Sequence, residues 1–304
     1  MNISKKMIMS FIVALTSVVS MAQPYYHIMK EENGKLTEDT VYNGMDYNIK
    51  IDMNEPKPDN AIGGKITIET DCGNTYRPLK RSFYFTNKGN VYYDESKDRF
   101  FFEESQLDYP SGTYSRNHCG HFRWDRTIAG CIDTGYPLEL GVATEEDFYF
   151  YNPDNLGKLQ KDLGNERWSV LSSCEWRYVL NNLGETNWKV DGEDCFLIDT
   201  TPGKSLLTEL RRKNGGKTSD LSIEEFKALE ALGLVCLPAC GSRYRTQFSQ
   251  QGKYGNYWSC SPCAPPYHYY SVNLKFRYNY SEIYSFDNYG NGCAVRLVIL
   301  ADEE

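Results

Sequence analysis

The sequence predicts an α+β fold, and three observations carry that prediction. Residues 269–276 alternate strictly, with Tyr270, Val272, Leu274 and Phe276 apolar and Tyr269, Ser271, Asn273 and Lys275 on the other face, the period of a half-buried strand. Two Ser-x-x-Glu boxes, Ser172 to Glu175 and Ser222 to Glu225, each open an apolar stripe at helical spacing. Strands and helices do not alternate as βαβ units, so a parallel sheet is not expected.

At the start of the chain, Lys5 and Lys6 precede the apolar run Met7 to Val19, and Ser20-Met21-Ala22 offers small residues for cleavage. Residues 1–22 therefore read as a removed signal peptide and export is expected, to the periplasm, the outer surface or the medium. The run is broken by Ser10, Thr16 and Ser17 and falls short of a spanning helix, so no membrane span is expected. Residues 23–81 read as a small β-rich segment with strands at Tyr47–Ile51 and Lys65–Ile68; they form either a module of their own or extra strands on the main domain, 82–304. Asn90–Tyr93 and Arg99–Glu103 read as a hairpin, Trp124 to Pro137 as loop and Phe148 to Tyr151 as a short strand. The first box leads into Trp176, Val179, Leu180 and Leu183 and stops at Gly184. Its counterpart leads into Phe226, Leu229 and Leu232 and stops at Gly233, after which Leu234–Pro238 is a buried strand.

The C-terminal part, 254–300, reads as three strands: one through Phe276, then a turn from Arg277 to Ser281, a second over Ile283–Asp287, a turn through Asn288-Tyr289-Gly290-Asn291-Gly292, and a third burying Cys293, Val295, Leu297 and Ile299. Trp258, Val295 and Leu297 are structural. Arg296 alternates to the other face, where it is expected to meet a buried carboxylate.

A net charge of −8 and a pI near 5.2, with no basic stripe, exclude a nucleic-acid partner. Ten cysteines in an exported chain are compatible with disulfides, whose pairing the sequence does not give. Cys236-x3-Cys240 and Cys260-x2-Cys263 have the look of a four-thiolate zinc site or a redox pair, but structural thiols or disulfides are the simpler reading. His118-Cys119-Gly120-His121 reads as a polar loop rather than a metal site. No GxSxG motif and no phosphate loop is present, since Ile198 and Arg211 stand where the latter needs glycine. No cofactor, no metal and no catalytic residue is therefore expected.

What the chain does have is tyrosine. Nine of its 24 tyrosines lie in residues 254–289, about an eighth of the length, amid Asn and Ser. Tyr gives a stiff amphipathic contact and Asn and Ser adapt their hydrogen bonds, the composition of binding faces; strands also favour Tyr, and Tyr270 is assigned to the core. The candidate ligand-binding residues are Tyr254, Tyr267, His268, Tyr269, Tyr278, Asn279, Tyr280, Tyr284, Asn288 and Tyr289.

The segments NKGNVYYDESKDRFFFEESQLDYP, HFRWDRTIAG, RWSVLSSCEWRYVL, LSIEEFKALEALGLVCLPACGSR, GNYWSCSP and YGNGCAVRLV, over residues 82–300, resemble the Fibrobacter succinogenes major paralogous domain family of Bacteroidetes. That resemblance implies a C-type lectin-like domain, the fold shared with formylglycine-generating enzymes and with the variable binding proteins of diversity-generating retroelements. It implies an exported or surface protein whose C-terminal loops bind a protein or a glycan. A structural, fimbria-associated subunit is the alternative. A formylglycine-generating enzyme is a weaker one, because two residues instead of four separate Cys260 from Cys263 and the accompanying Arg-rich sequence is missing. Calcium-dependent sugar binding of the usual lectin kind lacks its motif, since Asn152-Pro153-Asp154 lies far upstream and Trp258 is followed by Ser259-Cys260.

Overall fold

The structure, a computed structural model, describes residues 25–32, 35–43, 47–70, 80–94, 96–109, 118, 120–122, 158–164, 167–244, 247–262, 270–288 and 291–301. The chain divides into two compact units, residues 1–48 with 69–80, and residues 49–68 with 81–304. The smaller holds an antiparallel hairpin, β1 (Tyr25–Glu32) with β2 (Lys35–Asn43). The expected signal peptide, the loop from Trp124 and the strand at Phe148–Tyr151 lie outside the described residues.

In chain order the remaining strands are β3 (Tyr47–Asp52), β4 (Ala61–Thr70), β5 (Lys80–Thr86), β6 (Val91–Asp94), β7 (Arg99–Phe102), β8 (Trp168–Val170), β9 (Gly184–Val190), β10 (Glu193–Asp199), β11 (Asp220–Leu221), β12 (Leu234–Pro238), β13 (Ser242–Tyr244), β14 (Gln247–Ser249), β15 (Tyr254–Pro262), β16 (Tyr270–Arg277), β17 (Tyr280–Asn288), β18 (Asn291–Gly292) and β19 (Leu297–Leu300). The helices are α1 (Lys158–Leu163), α2 (Ser173–Asn182), α3 (Ser205–Lys213) and α4 (Ile223–Glu230). The fold is thus mixed α+β and strand-rich.

Strand order is β3-β4-β5-β19-β8 in one sheet, β11-β9-β10-β12 in a second, β15-β16-β17 in a third and β14-β13-β18 in a fourth, with β6-β7 a separate hairpin. Residues 49–68 therefore add strands to the sheet of the larger unit. The strand expected third in the C-terminal part does not continue the meander; β19 crosses to the first sheet and pairs antiparallel with both β5 and β8. The reason is visible in its burial: Val298 is as fully buried as Leu297 and Ile299, and a strand buried on both faces belongs at the centre of a sheet.

Both serine boxes form their helices. In α2 the Glu175 N–H donates to Ser172 Oγ at 3.2 Å and Ser172 N–H to Glu175 Oε2 at 2.7 Å; in α4 the Ser222–Glu225 pair does the same at 3.2 and 2.8 Å. Trp176, Val179 and Leu183 face the core, and so does Phe226. Leu232 does not: the helix ends at Glu230, and Leu232 is 57% exposed beyond it. Helices α1 and α3 add to the two expected.

Two apolar clusters hold the larger unit together. One gathers Val91, Phe100, Phe122, Trp168, Trp258, Val295 and Ile299; the other packs Trp188, Leu197, Leu207, Phe226 and Cys236 beneath α3 and α4. Trp258 is fixed by its indole N–H donating to Phe122 O at 2.6 Å. On β16, Val272, Leu274 and Phe276 are buried as the alternation requires, but Asn273 on the opposite face is buried too, its Nδ2 3.6 Å from Cys293 Sγ. That sheet is therefore covered on both faces at the middle of β16, and it opens to solvent at the end carrying Tyr254, Arg277 and Tyr280.

Candidate functional site

Three tight turns meet at that open end. The first is Asp191-Gly192, joining β9 to β10, with φ of 53° and 83° and closed by the Val190–Glu193 pair. Asp-Gly suits this turn because both positions need positive φ. A second turn, Gln250 to Lys253, has φ of 64° at Gln250 and 75° at Gly252; Tyr254 N–H and Lys253 N–H donate to Gln250 O at 2.9 and 3.1 Å. It is tied to its neighbours by Gly252 N–H to Ala239 O at 2.7 Å and Asp194 N–H to Gly252 O at 3.3 Å. The third is Tyr278-Asn279, with Asn279 at φ 63° and the flanking Arg277 and Tyr280 paired. Asn tolerates that conformation as few side chains do. The expected turn over Arg277 to Ser281 thus shrinks to two residues, and β17 starts at Tyr280.

Between the turns lies an open groove of about 730 Å³, lined by Lys189, Gly192, Glu193, Asp194 and Gln251 to Tyr254 on one side and Arg277 to Tyr280 on the other. Register builds its floor. Tyr254 pairs with Arg277 and Arg277 with Tyr280, so a Tyr–Arg–Tyr row crosses three strands on one face. The guanidinium carbon is 5.6 Å from the Tyr254 ring centre and 5.4 Å from that of Tyr280, and Nη1 donates to the Tyr254 hydroxyl at 2.8 Å. Tyr278 and Tyr280 are 45% and 41% exposed. A hydrogen bond to Glu282 raises the Tyr280 hydroxyl above its ordinary pKa. Across the groove Lys189 Nζ is 3.0 Å from Asp194 Oδ1 and donates to Gly192 O at 3.1 Å; the bond to Asp194 raises its pKa.

Of the candidate residues, Tyr254, Tyr278, Asn279 and Tyr280 therefore come together in one groove. Tyr284 and Asn288 sit farther along β17, opposite Asn273 and Tyr270. Tyr267, His268, Tyr269 and Tyr289 lie outside the described residues. Sequence reasoning missed Arg277, Lys253, Lys189 and the Asp191–Asp194 turn. The Asp-Gly pair between Val190 and Glu193 was a readable hairpin signal; the union of three turns distant in sequence had none.

The other chemical candidates are described only in part. His118 Nε2 meets Glu103 Oε1 at 2.5 Å while its ring stacks on Tyr92 at 4.1 Å. His121 is buried elsewhere, its Nε2 donating to Cys240 O at 2.9 Å, and burial pulls its pKa down to about 4. Among the described residues no group of three or more His, Cys, Asp or Glu is placed to hold a metal. Cys195, Cys236, Cys240 and Cys293 are buried free thiols, so the expected disulfides do not involve them; burial raises Cys240 to about 11. The side chains of Cys260 and Cys263 lie outside the described residues. Among the described residues Arg296 meets no carboxylate directly. Its Nη2 donates to Thr86 O at 3.0 Å and to Gln106 Oε1, and Gln106 Nε2 in turn reaches Glu230 Oε1 at 2.6 Å. Burial lowers its pKa to about 10, because the interior disfavours the charge.

Among the described residues no helix is long and apolar enough to cross a membrane. Comparison with family models, with curated proteins and with solved structures gives no match to this chain.

Proposed function

We propose that the chain is an exported, non-enzymatic recognition protein of C-type lectin-like fold, related to the major paralogous domain family, which binds a glycan or protein ligand in the groove between the three turns. The observation that carries this reading is the convergence of Tyr254, Tyr278, Asn279 and Tyr280, four residues singled out by composition alone, around the Tyr–Arg–Tyr row. Exposed rings, an amide and charged groups on rigid turns supply contact area and adaptable hydrogen bonds at low entropic cost. The groove lies in the volume range of ligand sites. The test is a screen of the purified protein on glycan arrays and on host and bacterial surface extracts, beside a variant with Tyr254, Tyr278 and Tyr280 changed to Ser and an unchanged circular dichroism spectrum. A ligand kept by the first and lost by the second supports the reading; one held equally by both refutes it.

A second reading, a structural surface subunit, draws on β17, which among the described residues pairs with β16 alone. Such an edge can accept a strand from a neighbour. Assembly that grows with concentration in light scattering, and stops with a proline in β17, is its signature.

A further inference from the structure

We infer that the occupant of the groove is an acidic carbohydrate, a glycan carrying a uronate or sialate carboxylate, an inference that rests on the recognition reading above. The lining residues are Lys, Gly, Glu, Asp, Gln, Tyr, Arg and Asn, with no aliphatic side chain among them. The desolvated core of a protein interface is enriched in apolar area, and outside its tyrosines this open lining is polar. A sugar makes the opposite demand. Its C–H face needs a flat amphipathic ring, its hydroxyls need a dense set of donors and acceptors, and here Tyr278 and Tyr280 stand exposed beside Asn279, Gln251, Glu193 and Asp194.

The preference for negative charge rests on two cations of the lining, Arg277 and Lys253, that stand outside any ion pair among the described residues. Lys189 is held by Asp194. The Glu193 carboxylate lies against Gly252, where an added Cβ would meet Oε2 at 2.1 Å. Arg277 and Lys253 have no carboxylate partner among the described residues, where the one side-chain acceptor on Arg277 is the Tyr254 hydroxyl. Arg277 also lies over two rings on a paired strand and is bonded to the Tyr254 hydroxyl, which restrains its planar donor fork before any ligand arrives. Such a fork matches a carboxylate with two parallel hydrogen bonds. A sugar ring resting on Tyr278 or Tyr280 with its carboxylate on Arg277 uses each of these groups.

The test uses oligosaccharides containing galacturonate, glucuronate or sialate beside their carboxyl-reduced or asialo counterparts, with the wild-type protein, Arg277→Gln, Arg277→Lys and the double variant Tyr278→Ser/Tyr280→Ser, all checked for an unchanged fold. Wild type is expected to hold an acidic oligosaccharide about tenfold or more tighter than its neutral counterpart, the typical effect of a charge-assisted hydrogen bond. That preference weakens as salt rises. Arg277→Gln brings the ratio of acidic to neutral affinity close to one, Arg277→Lys restores part of that ratio, and the double tyrosine variant loses both ligands. Equal binding of acidic and neutral forms overturns the acidic assignment and leaves the recognition reading standing. A protein ligand alone, lost in the tyrosine variant, overturns the carbohydrate assignment. Binding that neither Arg277 nor the tyrosines influence, or no ligand in any format, removes both.

Discussion

Gln106 shows how much one side chain carries in this interior. Its Oε1 accepts from Arg296 and, at 3.1 Å, from the Cys236 N–H, while its Nε2 donates to Glu230. One amide thus separates a buried cation from a carboxylate and closes the backbone of β12. Gln106→Leu removes all three bonds at once and leaves Arg296 with Thr86 O as its acceptor, so the unfolding free energy should fall by about 3 kcal/mol or more, read by denaturant titration. His121 gives the molecule a pH signature. Its folded pKa is about 4 against an ordinary 6.5, so between those values the unfolded chain binds the proton first. Stability is therefore full above about pH 6.5 and declines as pH falls through the window, by up to about 1.4 kcal/mol per unit from this residue. Midpoints measured from pH 7 to pH 4.5 should drop, and His121→Gln should flatten that slope.

Packing between elements rests on two glycines that leave room for phenylalanine rings. An added Cβ at Gly255 would meet the Phe276 ring at 2.1 Å, and one at Gly184 the Phe196 ring at 1.9 Å; the two rings themselves lie 5.6 Å apart. This is how β15 and β9 approach the middle of the core beside Tyr257. Gly255→Ala should cost about 1–3 kcal/mol by overpacking, and near-ultraviolet circular dichroism should show the aromatic cluster disturbed. At this scale the sequence was legible where the signal is local. Ser172 to Glu175 and Ser222 to Glu225 announced their helices because a cap is written within four residues. Helix α3 was missed because its N-cap position is Lys204 in a left-handed conformation with no side-chain cap, and α1 because six residues are too few to show a period. The groove was legible only in part. Tyr278, Asn279 and Tyr280 are neighbours in sequence, but Arg277 acquires its meaning from the register that sets it between Tyr254 and Tyr280.

For the whole molecule the decisive element is β19. Its residues stand between β5 and β8, with Val298 opposite both Phe85 and Ser169. Val298→Pro removes a ladder donor from the centre of the largest sheet, so it should abolish cooperative unfolding or lower stability by about 3 kcal/mol or more, followed by tryptophan fluorescence from the buried Trp168. The sequence marked residues 293–299 as buried but not their sheet, because alternation reports which face is covered and says nothing of which strand lies alongside.

The placing of β19 also has a consequence in time. The ribosome makes Phe83–Phe85 first and Val170 next, yet the strand that joins them arrives last of the three. Until then both stand as open edges, and such non-local pairing is slow to form. A nascent chain therefore cannot close this sheet until residues 297–300 have been made, and an unclosed sheet is a condition under which a polypeptide can still be threaded through a narrow translocation channel.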